Sequence, residues 1–271
     1  MSEDRKELLV SRRSPLRSFL FGAANLVLHG LERILAATSK VDTTPFLTDR
    51  GFGWAAEFEA NWERIAGEIQ ALMERKQELP NFQEISKDQD LLTQDNLWKT
   101  VFLEAYGVRS QLGRSSCPVT AELCDRVPGL KLAMFSMLGG GKHIPAHRGP
   151  WKGVVRFHLG LVIPTPPGSA RIRVGDQTRA WRVGEGMFFD DSYNHEVWND
   201  SEQDRVVLFL DVVRPCSWPG SWLNSCVLWA LSRSPFVRDI ERNLRDWEER
   251  FGGLEPALPP SDAAQVSQPS S

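Results

Sequence analysis

The stretch VVRFHLGLVI (residues 154–163), followed after a Pro- and Gly-rich turn by ARIRV (170–174), decides how this chain is read. Within it Arg156, His158 and Gly160 alternate with Val155, Phe157 and Leu159. A period of two places the first set on one strand face and the apolar set on the other. The same texture extends in both directions. Candidate strands are Lys131–Leu138, Val154–Ile163, Ala170–Val174, Ala180–Val183, Met187–Phe189, Glu196–Trp198 and Arg205–Val213, with Gly and Pro between them and no long helical segment. Many short strands joined by tight turns predict a sandwich or jelly roll from about Leu97 to Pro215.

Outside this region the period changes. Trp54, Phe58, Trp62, Ile65, Ile69 and Met73 recur at three- and four-residue steps, as do Phe236, Ile240, Leu244, Trp247 and Phe251. Each set predicts one apolar helix face, and a further helix is expected around Trp222–Ser232. The expected organisation is a helical region over 1–95, a β domain over 96–215, C-terminal helices over 216–251, and a disordered Pro- and Ser-rich tail over 252–271.

Near the N-terminus, Arg12 and Arg13 precede the apolar run Phe19–Leu28, but Pro15 and Arg17 spoil a signal sequence and the run is too short to span a bilayer. An amphipathic helix fits instead, with Leu20, Ala24, Val27, Leu31 and Ile34 as its stripe. Two roles are open for it. It packs on the core, or it lies on a membrane surface with help from the basic segment Arg5–Arg17.

The 271 residues hold 32 Lys and Arg against 35 Asp and Glu, a net charge of −3, which offers no broad electrostatic footprint for nucleic acid. Cys117, Cys124, Cys216 and Cys226 form no C-x-x-C pair. Reduced thiols in a cytoplasmic protein are expected, a Cys117–Cys124 bridge being the alternative.

His143, His147, His158 and His195, four of the five histidines, fall in the β region. Gly139–Gly141 and Pro145 exclude a helix around His143 and His147, and on a strand both face one way, so spacing alone leaves both as metal candidates. A triad of two histidines and one carboxylate is the usual home of non-haem Fe(II) oxygenases, its first two ligands arriving as H-x-D/E. Here His147 is followed by Arg148 and Gly149, so the carboxylate position holds glycine.

Five blocks in order carry a resemblance: His147-Arg148-Gly149-Pro150, Arg156–Leu161, Phe189-Asp190-Asp191-Ser192, His195-Glu196-Val197-Trp198 and Arg205-Val206-Val207-Leu208. Together they resemble the aspartyl/asparaginyl β-hydroxylase family, whose members bind iron through two histidines with glycine in the carboxylate position. The resemblance implies a double-stranded β-helix of jelly-roll, cupin-like form with flanking helices, and an Fe(II)- and 2-oxoglutarate-dependent dioxygenase that hydroxylates its substrate with O2. It implies His147 and His195 as iron ligands. Arg205 would hold the distal carboxylate of 2-oxoglutarate, aided by Ser136, and Arg156 and His158 would contact the carboxylate near the iron.

Physical chemistry agrees with these roles, since guanidinium grips a carboxylate bidentately and an arginine inside a barrel needs an anion. Other roles stand beside them: Arg205 as a surface charge, Arg156 as a structural ion-pair partner, His143 as structural or substrate-adjacent. Asp191 is either a turn residue or the holder of a water beside the iron. Within the resemblance the substrate is a lipid acyl chain, as in lipid A and ornithine-lipid hydroxylases, or a peptidyl Asp or Asn. The segment Gly141–Pro150 and the apolar helix Trp222–Trp229 favour the lipid branch, and no tetratricopeptide repeat is apparent. A cupin-like metal-binding protein without turnover is the alternative.

Overall fold

The computed structural model describes residues 15–48, 51–87 and 91–251, and for residues 15–26 only their helical backbone. The basic segment before Pro15, the side chains of Arg17, Leu20 and Ala24, and the tail over 252–271 therefore lie outside the described residues.

Helix α1 (Pro15–Thr38) leads to strand β1 (Phe46–Leu47), then to helices α2 (Ala55–Ala60), α3 (Trp62–Met73) and α4 (Phe82–Ile85). Strands β2 (Trp98–Ala105) and β3 (Val108–Arg109) follow, then helices α5 (Gln111–Ser116) and α6 (Pro118–Asp125). The main run of strands is β4 (Leu130–Leu138), β5 (His143–His147), β6 (Val154–Val162), β7 (Ala170–Val174), β8 (Gln177–Ala180), β9 (Gly186–Phe189), β10 (His195–Asn199) and β11 (Arg205–Val213). Helices α7 (Gly220–Leu231) and α8 (Pro235–Phe251) close the chain.

Among the described residues the strands form a seven-stranded sheet, in the order β1-β9-β6-β11-β4-β2-β3, and a four-stranded sheet, β5-β10-β7-β8. All of their pairings are antiparallel, and both sheets contribute to one apolar core. This is the expected double-stranded β-helix with flanking helices.

The two sheets differ in patterning because they differ in cover. In β7, Ala170, Ile172 and Val174 are buried while Arg171 and Arg173 face outward and pair with Asp200 and Glu196, the pattern of a sheet wet on one side. In β4 and β11 nearly every residue is buried, because helices cover the outer face of the large sheet. Phe58, Ile65 and Ile69 of α2 and α3, with Ile240, Leu244 and Trp247 of α8, supply that cover.

Three sequence expectations change. The Trp54–Met73 face is split into two helices at Asn61, whose backbone leaves helical geometry and whose side chain donates to the Glu57 carbonyl. The segment 180–183 is not a strand. Strand β8 ends at Ala180, and Trp181 turns into the core, because Gly160 leaves room for the Arg182 carbonyl where a Cβ would collide with it. The N-terminal stripe is also divided. Leu31 packs inward with Leu28 and Leu35, whereas Val27 and Ile34 face solvent.

Candidate active site

Strands β5 and β10 pair so that His147 lies directly opposite His195. Their ring centroids are 4.1 Å apart at 53°. His195 is buried and His147 half-buried, so the pair opens toward solvent on the His147 side. The Nδ1 of His147 lies 2.9 Å from the Pro145 carbonyl, and the Nδ1 of His195 lies 3.0 Å from the Tyr193 carbonyl. A carbonyl only accepts, so each Nδ1 carries the proton and each Nε2 keeps a free lone pair. Burial lowers both imidazole pKa values. For His195 the neighbouring His147 and Arg156 add to the effect and push it down to about 3. Two neutral, tautomer-fixed imidazoles suit a divalent transition metal.

Among the described residues no group of three or more His, Cys, Asp or Glu could hold a metal, so the histidines gain no carboxylate ligand there. Asp191 explains why position 149 is glycine. A Cβ on Gly149 would collide with the Asp191 carboxylate, and the Gly149 N–H donates to the Asp191 main-chain carbonyl at 2.8 Å. The Asp191 carboxylate is buried, with one oxygen 2.9 Å from Arg156 and the other without a partner. Burial raises its pKa to about 7, against the lowering effect of Arg156.

Arg156 takes the ion-pair arrangement that the sequence left open for it. It grips Asp211 bidentately at 2.8 and 2.9 Å and reaches Asp191 at 2.9 Å, with its guanidinium 4.2 Å from the Phe209 ring centroid. Two carboxylates hold its pKa up despite burial. Asp211 faces Arg156 across the β11–β6 ladder and was missed in the sequence, although it lies six residues from Arg205 on the same strand face.

Arg205 is different. Its side chain is 2% exposed, and its NH1 donates only to Ser136, at 3.3 Å to the carbonyl and 3.5 Å to the hydroxyl. Its Nε has no partner and no carboxylate lies within ion-pair reach among the described residues. Burial lowers its pKa to about 9. Ser136 also accepts from Trp98 Nε1 at 3.0 Å. The Trp181 ring lies 4.8 Å from the Arg205 guanidinium and stacks on His158 at 5.8 Å. Trp181 Nε1 and both nitrogens of His158 are buried without partners.

Buried polar groups are normally satisfied, so this concentration of unmet donors around a buried cation fits an anionic ligand. Trp181 was also missed, since nothing in the local alternation marks where the chain leaves the sheet. Phe189 joins the two halves, its ring 4.9 Å from His158 and 6.2 Å from His195. His143 lies apart, at 2.8 Å from Glu196 and stacked on Trp198 on the outer face of the small sheet.

Fold and site together define a cupin-like barrel with a two-histidine candidate metal centre beside a basic pocket. Residues 59–215 match the Aspartyl/Asparaginyl beta-hydroxylase family. Over 213 residues, 79% of this chain and 76% of the relative, the chain is 40% identical to the ornithine lipid ester-linked acyl 2-hydroxylase of Rhizobium tropici. It is 29% identical over 192 residues to the aspartyl/asparaginyl beta-hydroxylase of Homo sapiens, a match covering 68% of this chain and 24% of that protein. The chain belongs to the aspartyl/asparaginyl β-hydroxylase family. Among solved structures it is similar to KdgF from Halomonas sp., with a TM-score of 0.30 and 11% identity over 45% of this chain and 84% of that one.

Proposed function

We propose that this chain is an Fe(II)- and 2-oxoglutarate-dependent hydroxylase acting on the acyl chain of a membrane lipid. The observation that carries the reading is the buried Arg205 guanidinium, which has no carboxylate partner among the described residues and shares the Trp181 ring with His158, while Phe189 touches both His158 and His195 of the imidazole pair with free Nε2 atoms. An unpaired buried cation costs several kcal/mol, roughly, so a protein that keeps one has an anion to bind.

Iron and 2-oxoglutarate, when bound, would supply the oxidising power drawn from O2; the protein's part is to bind, orient and shield. His147 and His195 would hold the metal through Nε2. Arg205, with the Ser136 hydroxyl beside it, would take the distal carboxylate, and the His158 ring offers a donor and an acceptor to the rest of the molecule. Arg156, fixed by Asp211, keeps the Asp191 carboxylate beside Gly149, where its free oxygen would accept from a water near the metal.

The lipid substrate rests on the longer and closer of the two matches, to an enzyme that hydroxylates an ester-linked acyl chain. The test is succinate release from 2-oxoglutarate by the purified full chain with Fe(II), comparing ornithine-lipid dispersions with Asp-containing peptides. Release stimulated by lipid alone is expected. Stimulation by peptide alone would transfer the reading to the peptide branch. Failure to bind 2-oxoglutarate at all would leave a metal-binding cupin without turnover.

A further inference from the structure

Helix α7 has the sequence GSWLNSCVLWAL, twelve residues without a charge. Its inner face buries Gly220, Asn224 and Leu228. Its outer side carries Trp222 and Trp229, 64% and 62% exposed, and seven residues apart, so that they share one helix face. Trp218, just before the helix, is 80% exposed. Large aromatic residues grouped on a surface mark a contact with something outside the chain.

Neighbouring features say what that partner is. Helix α1 packs against α7 through Leu31, Leu35 and Leu228, and its own Val27 and Ile34, again seven apart, face solvent. Arg233 follows α7 and lays its guanidinium 4.2 Å from the Trp229 ring centroid. Within the described part of residues 1–40, Arg33 and Lys40 are exposed, whereas Glu32 is buried against Arg148. Tryptophan beside aliphatic and basic groups is the chemistry of the membrane–water boundary, where indoles sit at headgroup depth and cations meet anionic lipid. No helix among the described residues is long and apolar enough to cross a membrane.

The inner sides of the same two helices hold the segment that follows His147. Asn224 of α7 accepts from Trp151 Nε1 at 2.8 Å and donates to the Gly153 carbonyl at 2.7 Å. Arg148 holds Glu32 of α1 at 2.7 Å. Arg148, Trp151 and Gly153 all belong to the segment that follows His147, the more exposed of the two imidazoles.

We infer that α7 and the adjoining side of α1 form a docking surface for an anionic lipid bilayer, with Trp218, Trp222 and Trp229 seated in its headgroup layer on the helices that hold the segment after His147. The purpose of this surface rests on the lipid-hydroxylase reading; its geometry does not.

The test is cosedimentation of the full-length chain with phosphatidylcholine vesicles containing phosphatidylglycerol, for the wild type, the triple variant Trp218→Ser/Trp222→Ser/Trp229→Ser, and Arg233→Glu. Thermal melting checks that each variant is folded, and succinate release on detergent-dispersed lipid is measured in parallel. The wild type is expected to sediment at low salt and less at high salt. The triple variant should bind roughly tenfold or more weakly, and Arg233→Glu more weakly than wild type, while both turn over dispersed lipid normally.

A folded triple variant that sediments like the wild type overturns the inference. So does a wild type that ignores vesicles but hydroxylates dispersed lipid, or one that self-associates through these tryptophans instead. A chain that binds vesicles through them yet hydroxylates no lipid supports the surface and sinks the substrate reading alone.

Discussion

Gly149 and Asp191 are fitted to one another: the side chain that residue 149 lacks would collide with the Asp191 carboxylate, and their backbones are joined by an N–H···O bond of 2.8 Å. Restoring a carboxylate at 149 would set two acids in one buried space. Gly149→Asp and Gly149→Ala should therefore both lower stability, by about 1–3 kcal/mol for the overpacking alone, and Asp more than Ala. Thermal melts of the metal-free proteins check the order. If Gly149→Asp melts at the wild-type temperature, Asp191 yields the space freely and the fit is not a constraint.

His147→Ala and His195→Ala should each abolish Fe(II) binding, because a site of two protein ligands has none to spare. His143→Ala should leave it intact, since that ring is engaged with Glu196 and Trp198. Anaerobic equilibrium dialysis against Fe(II) separates the three variants. Full affinity in either of the first two would remove that residue from the proposed ligand pair.

Arg205 gives two outcomes of opposite sign. Arg205→Lys should weaken 2-oxoglutarate binding at least about tenfold, because a point charge replaces a planar fork. Arg205→Met should do the same while leaving the ligand-free protein as stable as wild type or about 1–4 kcal/mol more so, since it removes a buried charge without a partner. A fixed excess of 2-oxoglutarate should then raise the melting temperature of the iron-loaded wild type more than that of either variant. A methionine variant that loses stability sharply would mean that Arg205 is a structural cation.

Reading the sequence for period and punctuation located the β region and, in Ala170–Val174 and Arg205–Val213, the ends of two strands. It could not pair His147 with His195 across 48 residues, since ladder register is a tertiary property; their assignment came from the resemblance. Asp211 was legible in principle, being an acid on the Arg205 face of an otherwise apolar strand. Trp181 was not, because an apolar–basic alternation looks the same whether the chain stays in the sheet or turns inward. The long Trp54–Met73 stripe hid the break at Asn61, since the apolar spacing continues through it.

The cysteines supply a prediction independent of the site. All four are free: Cys117, Cys124 and Cys216 are buried and Cys226 of α7 is exposed, so a Cys117–Cys124 bridge is not formed. Burial pushes the Cys124 thiol up to about 12 and raises those of Cys117 and Cys216 as well. One thiol per chain should react rapidly with a disulfide reagent near neutral pH, and Cys226→Ser should remove that reaction. Rapid reaction of a second thiol in the native protein would contradict the packing around α6.

The imidazoles stand on the small sheet, in β5 and β10, while Arg205, Ser136 and His158 stand on the large one, in β11, β4 and β6. A metal and an acid ligand chelated to it would thus form a bridge from one wall of the barrel to the other. Tightening of each by the other would then measure how firmly the walls are held apart, and Phe189, lying between the two sets of groups, is the strut whose shortening to leucine or alanine would let that coupling slacken while each site remained complete.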